Sequence, residues 1–390
     1  IADIYGRKKV FTYGILTYTV SSLLSGLSPS VFLLLFFRII QGIGGAMVFG
    51  TAVAILTSVF PASERGKVIG INVAAVYSGL SLGPSLGGFL TEQWGWRSIF
   101  FINVPLGLLV ILLIMLRLPG EWVGAPGEKF DVIGSLIYGS ALALTMYGIS
   151  LLPSERAFWI ILFGLLIVLS FILWETVTDA PVLNMNLFRK NVVFTFSSMA
   201  AFINYSATHA VAFLMSLYLQ FLRGFTPQEA GMILLCQPVV MVLVSPFAGR
   251  LSDRIEPRIV ASLGMAVTTS ALIAFALVGE TTGISLIIAR LGLLGAGLAF
   301  FSSPNTNAIM SSVEKKFYGI ASAMVGTVRS IGQMTSMGIA MVVITVYLGK
   351  VEIVPEYYGL FLKSAHTTFM VFVGMCAVGV LASLARGKIR

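Results

Sequence analysis

Long apolar runs recur along almost the whole chain, and they restrict the possible fold more than any other feature of the sequence. A helix needs roughly 20 apolar residues to cross a bilayer core of about 30 Å. Runs of this length are separated by short charged stretches, and they lack the alternation of barrel strands. The sequence therefore predicts an all-α polytopic membrane protein. Twelve helices are predicted, over residues 9–27, 31–58, 67–90, 98–117, 132–152, 156–175, 192–221, 228–248, 258–279, 283–310, 318–348 and 366–385.

The basic residues fall mainly on one side of these helices, although the net charge of +9 could also suggest a nucleic-acid surface. When the loop of Arg7, Lys8 and Lys9 is placed in the cytoplasm, 17 of the 25 Lys and Arg residues lie on that side, 5 lie opposite and 3 lie within helices. This is the positive-inside distribution. We expect a multi-pass protein of the plasma membrane, in contact with the lipid bilayer and not with nucleic acid. The Asp3 loop and the C-terminus are predicted to be cytoplasmic.

The chain contains an internal repeat. IADIYGRKKV (1–10) is similar to RLSDRIEPRIV (250–260), FFRIIQGIGGAMVFG (36–50) to IARLGLLGAGLAFFS (288–302), and SERGKVIGI (63–71) to EKKFYGIASA (314–323). The offset is 250 residues from Asp3 to Asp253, 252 from Arg38 to Arg290 and 253 from Gly66 to Gly319. Parallel repeats of six helices around a central site are a transporter arrangement.

The repeat also predicts how the chain is organised. Two helices precede Asp253 in the second repeat and none precedes Asp3, so we expect about 60 further residues with two helices upstream of this sequence. Residues 1–118 are then four of the six helices of an N-terminal bundle. Residues 119–191 hold two extra helices with flanking cytoplasmic loops, and residues 192–390 form a C-terminal six-helix bundle.

One predicted helix carries an unusual number of helix-weakening residues, in the stretch GLSLGPSLGG (79–88). Gly79, Gly83 and Gly87 are four residues apart and share a helix face, with Gly88 beside them. Small residues let helices approach closely in lipid, and Pro84 removes a backbone hydrogen bond and should bend the helix. We predict a bent, close-packed seam. Tight helix packing with no further function could also explain any one of these glycines taken alone.

These stretches together resemble the major facilitator superfamily, and specifically its fourteen-helix drug:proton antiporters. GLSLGPSLGG resembles the antiporter motif of the fifth helix, FFRIIQGIGGA the fourth-helix motif with its intramembrane arginine, and ADIYGRKKV the end of the loop motif after the second helix. WGWRSIFFINVP (94–105) is also typical of this branch. The resemblance covers essentially the whole chain. It implies the major facilitator fold, with two six-helix bundles and two extra helices, of which the first two helices are missing here.

Charged residues at the repeated loops and within helices are the candidate functional groups. Cytoplasmic latches between helices are predicted at Asp3, Gly6, Arg7, Lys8, Asp253 and Arg254, and charge that only sets the membrane orientation is the competing interpretation. Ile4 stands where the loop motif usually has an arginine, which puts part of the charge network in doubt. An arginine in hydrocarbon is costly, so Arg38 should face the bundle interior unless it extends to the interface.

No Asp or Glu lies in the middle of a predicted helix, although proton coupling normally requires a titratable group there. The resemblance implies that Arg38 assists proton exchange at a carboxylate, expected in the upstream first helix. His209 is the alternative titratable group, with an ordinary pKa of about 6.5. A neutral histidine hydrogen-bonded between helices is the competing interpretation.

Polar residues within the predicted helices are candidates for a substrate cavity, although each alone could be a packing hydrogen bond. The set comprises Gln41, Asn72, Asn204, Gln220, Gln237, Asn305, Asn307, Arg329 and Gln333, of which Asn305 and Asn307, after Pro304, are the strongest candidates. The chain has no P-loop motif and no metal-ligand cluster, so neither cofactor nor metal is expected, and energy should come from an ion or substrate gradient.

The sequence thus predicts a secondary transporter, not an enzyme. It would export amphipathic, drug-like small molecules, cationic or neutral, in exchange for protons by alternating access. A uniporter or symporter for a metabolite, and a non-transporting membrane receptor, remain alternatives. The sequence does not decide the oligomeric state, for which a monomer is the working expectation.

Overall fold

The computed structural model describes residues 1–118, 120–178, 181–183, 185–349 and 353–387. The side chains of Pro84, Ser85 and Asn186 are also outside the description. Every regular element in these residues is helical, as predicted. The helices of the first half are α1 (Ala2–Tyr5), α2 (Arg7–Gly26), α3 (Val31–Val59), α4 (Arg65–Trp94), α5 (Ser98–Phe101), α6 (Asn103–Arg117), α7 (Val132–Ser150) and α8 (Glu155–Val177).

The remaining helices are α9 (Met185–Lys190), α10 (Val192–Thr208), α11 (Ala210–Leu217), α12 (Pro227–Leu234), α13 (Cys236–Arg254), α14 (Pro257–Ala276), α15 (Ile284–Ser311), α16 (Tyr318–Leu348) and α17 (Tyr358–Ala385). Among them, α10 and α11 belong to one span that is interrupted at His209. A π-helical turn, Tyr218–Leu222, continues α11. Short 3₁₀ turns, Lys315–Phe317 and Pro355–Tyr357, precede α16 and α17.

Eleven helical segments of the described residues are long and apolar enough to cross a membrane. They match eleven of the predicted helices, and α2 matches the twelfth. With Lys8 and Lys9 in its first turn and several hydroxyl side chains, α2 is more polar than the others. The last helix begins at Tyr358, earlier than the predicted residue 366, because a helix accommodates the exposed Lys363 that interrupts the apolar run.

Several helices begin with a polar side chain that accepts a hydrogen bond from a first-turn N–H group. These first N–H groups have no partner within the helix. The capping residues are Ser30 for α3, Asp131 for α7, Ser154 for α8, Asn191 for α10 and Thr226 for α12. Thr226 forms a reciprocal capping box with Glu229. The chain thus encodes these helix starts locally.

The chain divides into two compact units. The first comprises Ile1–Ala62, Ser78–Phe130 and Val313–Gly326. Within it, α2 and α3 approach closely at glycines, where a Cβ on Gly44 would lie 2.7 Å from the Tyr18 nitrogen and 2.8 Å from the Gly14 oxygen. The three-part division predicted from the sequence stays a prediction.

The second unit comprises Ser63–Tyr77, Asp131–Ser312 and Thr327–Arg390. Its core is a cluster of buried apolar side chains from α10 to α17, in which the rings of Phe275 and Phe369 stack with centroids 5.6 Å apart. Helices α14 and α15 meet at small residues. A Cβ on Gly264 would lie 2.5 Å from the Phe300 carbonyl carbon, so the two backbones are in contact.

This close contact predicts that a glycine-to-alanine substitution affects the melting temperature differently at two positions. Alanine favours a helix over glycine by about 1 kcal/mol. Gly264→Ala should nevertheless lower the melting temperature in detergent, because its methyl group meets backbone and overpacking costs about 1–3 kcal/mol. Gly374→Ala, on α17 with open space around it, should leave the melting temperature unchanged or raise it. A thermal-shift measurement in which both variants behave alike would contradict the close approach.

Candidate functional site

Asp3 lies at the start of α16, a helix that follows it by more than 300 residues. Its carboxylate accepts a hydrogen bond from the backbone N–H of Gly319 at 3.2 Å. Arg7 donates to the same oxygen from Nε at 2.8 Å, and its Nη2 lies 2.7 Å away. Because Gly319 has no side chain, the carboxylate fits directly against the backbone. Asp3 is therefore a buried acidic cap of α16.

Arg7 connects three segments of the first unit, and only 3% of it is exposed. Its Nη1 donates to Ser58 Oγ near the end of α3, and its Nη2 donates to the Lys315 carbonyl oxygen, both at 2.6 Å. Its guanidinium also lies 5.3 Å from the centre of the Tyr318 ring. Arg7 thus holds the starts of α2 and α16 and the end of α3 together.

Glu121 caps α2 and was not predicted from the sequence. Its carboxylate accepts the backbone N–H groups of Lys8 at 2.8 Å and Lys9 at 3.1 Å. The Lys8 ammonium donates to the carbonyl oxygen of Leu118. Gly6 has a φ of 112°, and a side chain there would strike the Glu121 carboxylate. Glu121 lies 113 positions from Lys8, so no local pattern marks this pair.

Asp253 caps α4 in the second unit as Asp3 caps α16 in the first. Its two carboxylate oxygens accept the N–H groups of Gly66 at 2.7 Å and Lys67 at 2.8 Å. A side chain on Gly66 would meet the Gly249 carbonyl oxygen and the Ser252 hydroxyl, so α4 and α13 touch here. Arg254, predicted to share this latch, is exposed and has no hydrogen-bond partner among the described residues.

The two caps relate the sequence repeats crosswise. Asp3 and Asp253 are equivalent in the repeat, and so are Gly66 and Gly319. The Asp of each repeat caps the helix that begins near the glycine of the other repeat. A carboxylate at a helix N-terminus is favourable by about 0.3–1 kcal/mol, and by up to about 2 kcal/mol when partly buried. The predicted latches at these positions are therefore helix caps.

Arg38 is the first member of a short hydrogen-bonded chain between α3 and α2. Its Nη1 donates to Gln41 Oε1, and Gln41 Nε2 donates to Ser22 Oγ, both at 2.6 Å. Arg38 itself is exposed in the described residues, so the predicted position facing a bundle interior is not seen here, and its guanidinium lies 5.8 Å from the centre of the Phe100 ring. Gln41 is buried, so this predicted cavity residue instead bridges two helices, and it orients Arg38.

The motif glycines of α4 have no close neighbour in the described residues. Nothing lies within 4 Å of a Cβ built on Gly79, Gly83, Gly87 or Gly88, so the close-packed part of the predicted seam is not seen here. The equivalent of Gly79 in the second repeat is Gly332, which does pack closely, against Tyr205 of α10. The helical backbone is continuous through residue 84, but the side chain of Pro84 lies outside the described residues. A bend there stays a prediction.

His209 lies at the interruption between α10 and α11. The N–H of the next residue, Ala210, donates to Ser336 Oγ of α16 at 2.9 Å instead of continuing the helix ladder. The backbone of His209 keeps helical dihedral angles, with φ of −66° and ψ of −41°, so the span runs on through this interruption. Ser336 binds the backbone beside the interruption, and nothing in the sequence around His209 indicates this partner.

Arg329 lies between two aromatic rings in the same unit. Its guanidinium is 5.5 Å from the centre of the Tyr77 ring and 5.7 Å from that of Tyr205. Such cation–π contacts hold a charge without a carboxylate. Neighbouring Asn204 is fully buried, and neither of its amide atoms has a hydrogen-bond partner among the described residues. Buried polar atoms are rarely left unpaired, so Asn204 is an exception among the described residues.

A cavity of about 410 Å³ opens at the surface of the second unit beside His209, which is itself exposed. Its walls come from α7 and the residues after it, from α16 and from the interruption between α10 and α11. Its polar side chains are Ser150, His209, Ser330 and Gln333. Its methionines are Met146, Met334, Met337 and Met341. The predicted cavity residues Asn305 and Asn307 do not line it.

Asn305 and Asn307 lie instead in hydrogen bonds between helices. Asn307 donates to Ser252 Oγ at 3.0 Å, and Asn305 donates to the Ser197 carbonyl oxygen at 3.0 Å. Asn305 also accepts a 2.6 Å bond from Arg386, a buried residue that was not predicted. Burial lowers the pKa of Arg386 to about 10, with the nearby Glu256 carboxylate opposing this effect, so Arg386 stays charged at neutral pH.

Comparison with known proteins assigns this architecture to a family. The model of the Major Facilitator Superfamily matches residues 1–200 and 197–388. The riboflavin transporter RibZ of Clostridioides difficile (strain 630) is 31% identical, over 85% of this chain and 72% of its own length. The multidrug resistance protein Stp of Mycobacterium tuberculosis (strain CDC 1551 / Oshkosh) is 30% identical, over 89% of this chain and 65% of its own length. The tetracenomycin C resistance and export protein of Streptomyces glaucescens is 26% identical, over 85% and 62%. The chain thus spans less than two thirds of the last two relatives.

Two solved structures share the fold at low sequence identity. The human organic anion transporter MFSD10 (TETRAN) superimposes with a TM-score of 0.68 at 17% identity, covering 98% of this chain and 78% of that one. The proton:xylose symporter XylE superimposes with a TM-score of 0.64 at 16% identity, covering 97% and 80%. With a family match over nearly its whole length and this fold, the chain is a multi-pass membrane transporter of the Major Facilitator Superfamily.

Proposed function

We propose that the protein exports amphipathic small molecules in exchange for protons by alternating access, as a member of the fourteen-helix drug:proton antiporter branch. The observation that carries this proposal is the crosswise pair of acidic caps, in which Asp3 binds the start of α16 and Asp253 binds the start of α4. Each cap is worth about 0.3–2 kcal/mol. Such contacts are strong enough to favour one conformation and weak enough to break in each transport cycle.

The charge distribution indicates which side of the membrane the two caps would close. The loops that carry Asp3 and Asp253 belong to the basic side of the chain, which the positive-inside rule assigns to the cytoplasm. The two caps would then stabilise a state that is closed toward the cytoplasm. Their release would open the cytoplasmic side to substrate.

Proton exchange is proposed at the chain of Arg38, Gln41 and Ser22. A guanidinium held within a membrane span raises the local positive potential and favours loss of a proton from an adjacent acid. The acid is expected in the helix predicted upstream of residue 1, and His209 is the alternative group. Export of drug-like compounds is supported by the names of two relatives, a multidrug resistance protein and a tetracenomycin C resistance and export protein.

One prediction from this proposal concerns coupling through Arg38. The protein is expressed from its complete gene, and inside-out vesicles are prepared from the cells. A proton gradient is imposed across the vesicle membrane. Cationic, neutral and anionic amphipathic compounds are then added while a dye reports the pH of the lumen. Substrate should trigger proton release, and Arg38→Ala should abolish that release because the acid no longer has a cation to favour its deprotonation. Arg38→Lys should retain part of it.

Arg156→Ala is the matched control, because Arg156 is an exposed arginine with no described partner, and its proton release should equal that of the unmodified protein. Substrate flux without proton movement would refute exchange and indicate a uniporter, and protons moving with the substrate would indicate a symporter. No flux of any compound would favour a receptor.

Another prediction from this proposal concerns the cap of α4. Asp253→Asn keeps the size of the side chain but leaves one acceptor oxygen for two N–H groups, and it turns an NH₂ group toward one of them. We expect the initial rate of substrate accumulation in the vesicles to fall about fivefold or more, equivalent to losing ~1 kcal/mol from one conformation. Glu92→Gln also removes one negative charge, from an exposed position, and should not change the rate. Equal rates in the two variants would show that the cap has no part in transport.

A further inference from the structure

Of the polar set that the sequence predicted for substrate, Gln333 alone lines the described part of the cavity beside His209. We propose that this cavity binds a planar aromatic compound that is neutral or anionic, and that the extra helix α7 supplies one wall. The inference rests on the proposed function for the role of this compound as a substrate. The binding itself stands on the geometry of the second unit.

The apolar wall of the cavity suits a flat ring system. Met146 comes from α7, and Met334, Met337 and Met341 come from one side of α16. A thioether in contact with an aromatic ring contributes about 0.3–1.5 kcal/mol, and unbranched methionines adapt to rings of different outline. The volume of about 410 Å³ lies within the range of pockets that bind small molecules.

A few polar groups enter the same cavity from three directions. Ser150 ends α7, Ser330 and Gln333 are one turn apart on α16, and His209 lies at the interruption between α10 and α11. An apolar pocket with a small number of positioned polar groups is the usual form of a small-molecule site. These groups can hydrogen-bond the oxygen or nitrogen atoms of a heteroaromatic ring.

The charge near the cavity determines which compounds it accepts. None of the described residues that line it is acidic. Arg329 directly precedes Ser330, and two tyrosine rings hold its guanidinium in place. A cationic compound would enter this cavity without a counter-charge and near a fixed positive charge, which is unfavourable. The site therefore selects against cations.

A binding experiment with two related dyes tests this selection. The methyl esters of fluorescein and of unsubstituted rhodamine share one aromatic skeleton, and they are an anion and a cation at neutral pH. Binding of each to the purified protein in detergent is followed by fluorescence anisotropy. We expect the fluorescein ester to bind about tenfold more tightly or better, and Arg329→Gln to reduce this preference.

Variants of the cavity locate the bound dye. Met337→Trp should fill the cavity and abolish binding, whereas Met370→Trp, at an exposed methionine of α17, should not. Gln333→Leu removes the polar atoms with little change in side-chain volume and should weaken binding by about tenfold. It carries the test if Met337→Trp does not give a monodisperse protein.

The results separate this inference from the proposed function. Equal or tighter binding of the rhodamine ester would overturn the charge selection, and unchanged binding in Gln333→Leu and Met337→Trp would overturn the site. The expected binding pattern without substrate-driven proton release in vesicles would refute exchange and leave the site standing. Proton release with other compounds, but no binding of either dye to this cavity, would support exchange and overturn the site.

Discussion

The need to pair backbone N–H and C=O groups where water is scarce is the constraint on which the rest of this structure depends. Within a helix the ladder satisfies these groups, but the first turn of every helix presents N–H groups that need an outside acceptor. Neutral or acidic side chains close by in the sequence serve α3, α7, α8, α10 and α12. The starts of α4 and α16 instead use carboxylates from distant parts of the chain. Where the acceptor is distant, capping becomes a tertiary contact, and a tertiary contact can be made in one conformation and broken in another.

The apolar runs were sufficient to predict the helices, because spanning a bilayer imposes a length and a composition that a single sequence displays. The repeat likewise pointed to Asp3, Asp253, Gly66 and Gly319, because all four recur at nearly one offset. It did not reveal their crosswise pairing, since Asp3 and Gly319 are 316 positions apart and only the fold brings them together. Glu121, Ser336 and Arg386 were missed for the same reason: each acts through partners far along the chain, and none belongs to a local pattern.

The candidate substrate residues show a further limit of sequence reasoning. An asparagine within a membrane helix is costly to leave unpaired, and Asn305, Asn307 and Asn204 therefore looked alike. In the fold, the first two are engaged by Ser197, Ser252 and Arg386, and only Asn204 has no described partner. The cavity is lined largely by methionines, which the sequence offered no reason to distinguish from packing residues. Polarity thus marks positions that require a partner, whereas the shape of the fold decides whether that partner is another helix or a ligand.

The polarity of α2 has a consequence for how the protein enters the membrane. Its hydroxyl-rich sequence and basic first turn leave it below the apolarity of the other spans, so hydrophobicity alone holds it only weakly in lipid. Its partner α3 is strongly apolar, and the two helices meet backbone to backbone at Gly14 and Gly44. We therefore expect α2 to enter the bilayer only once α3 has been made, so that the two leave the translocation machinery as one hairpin.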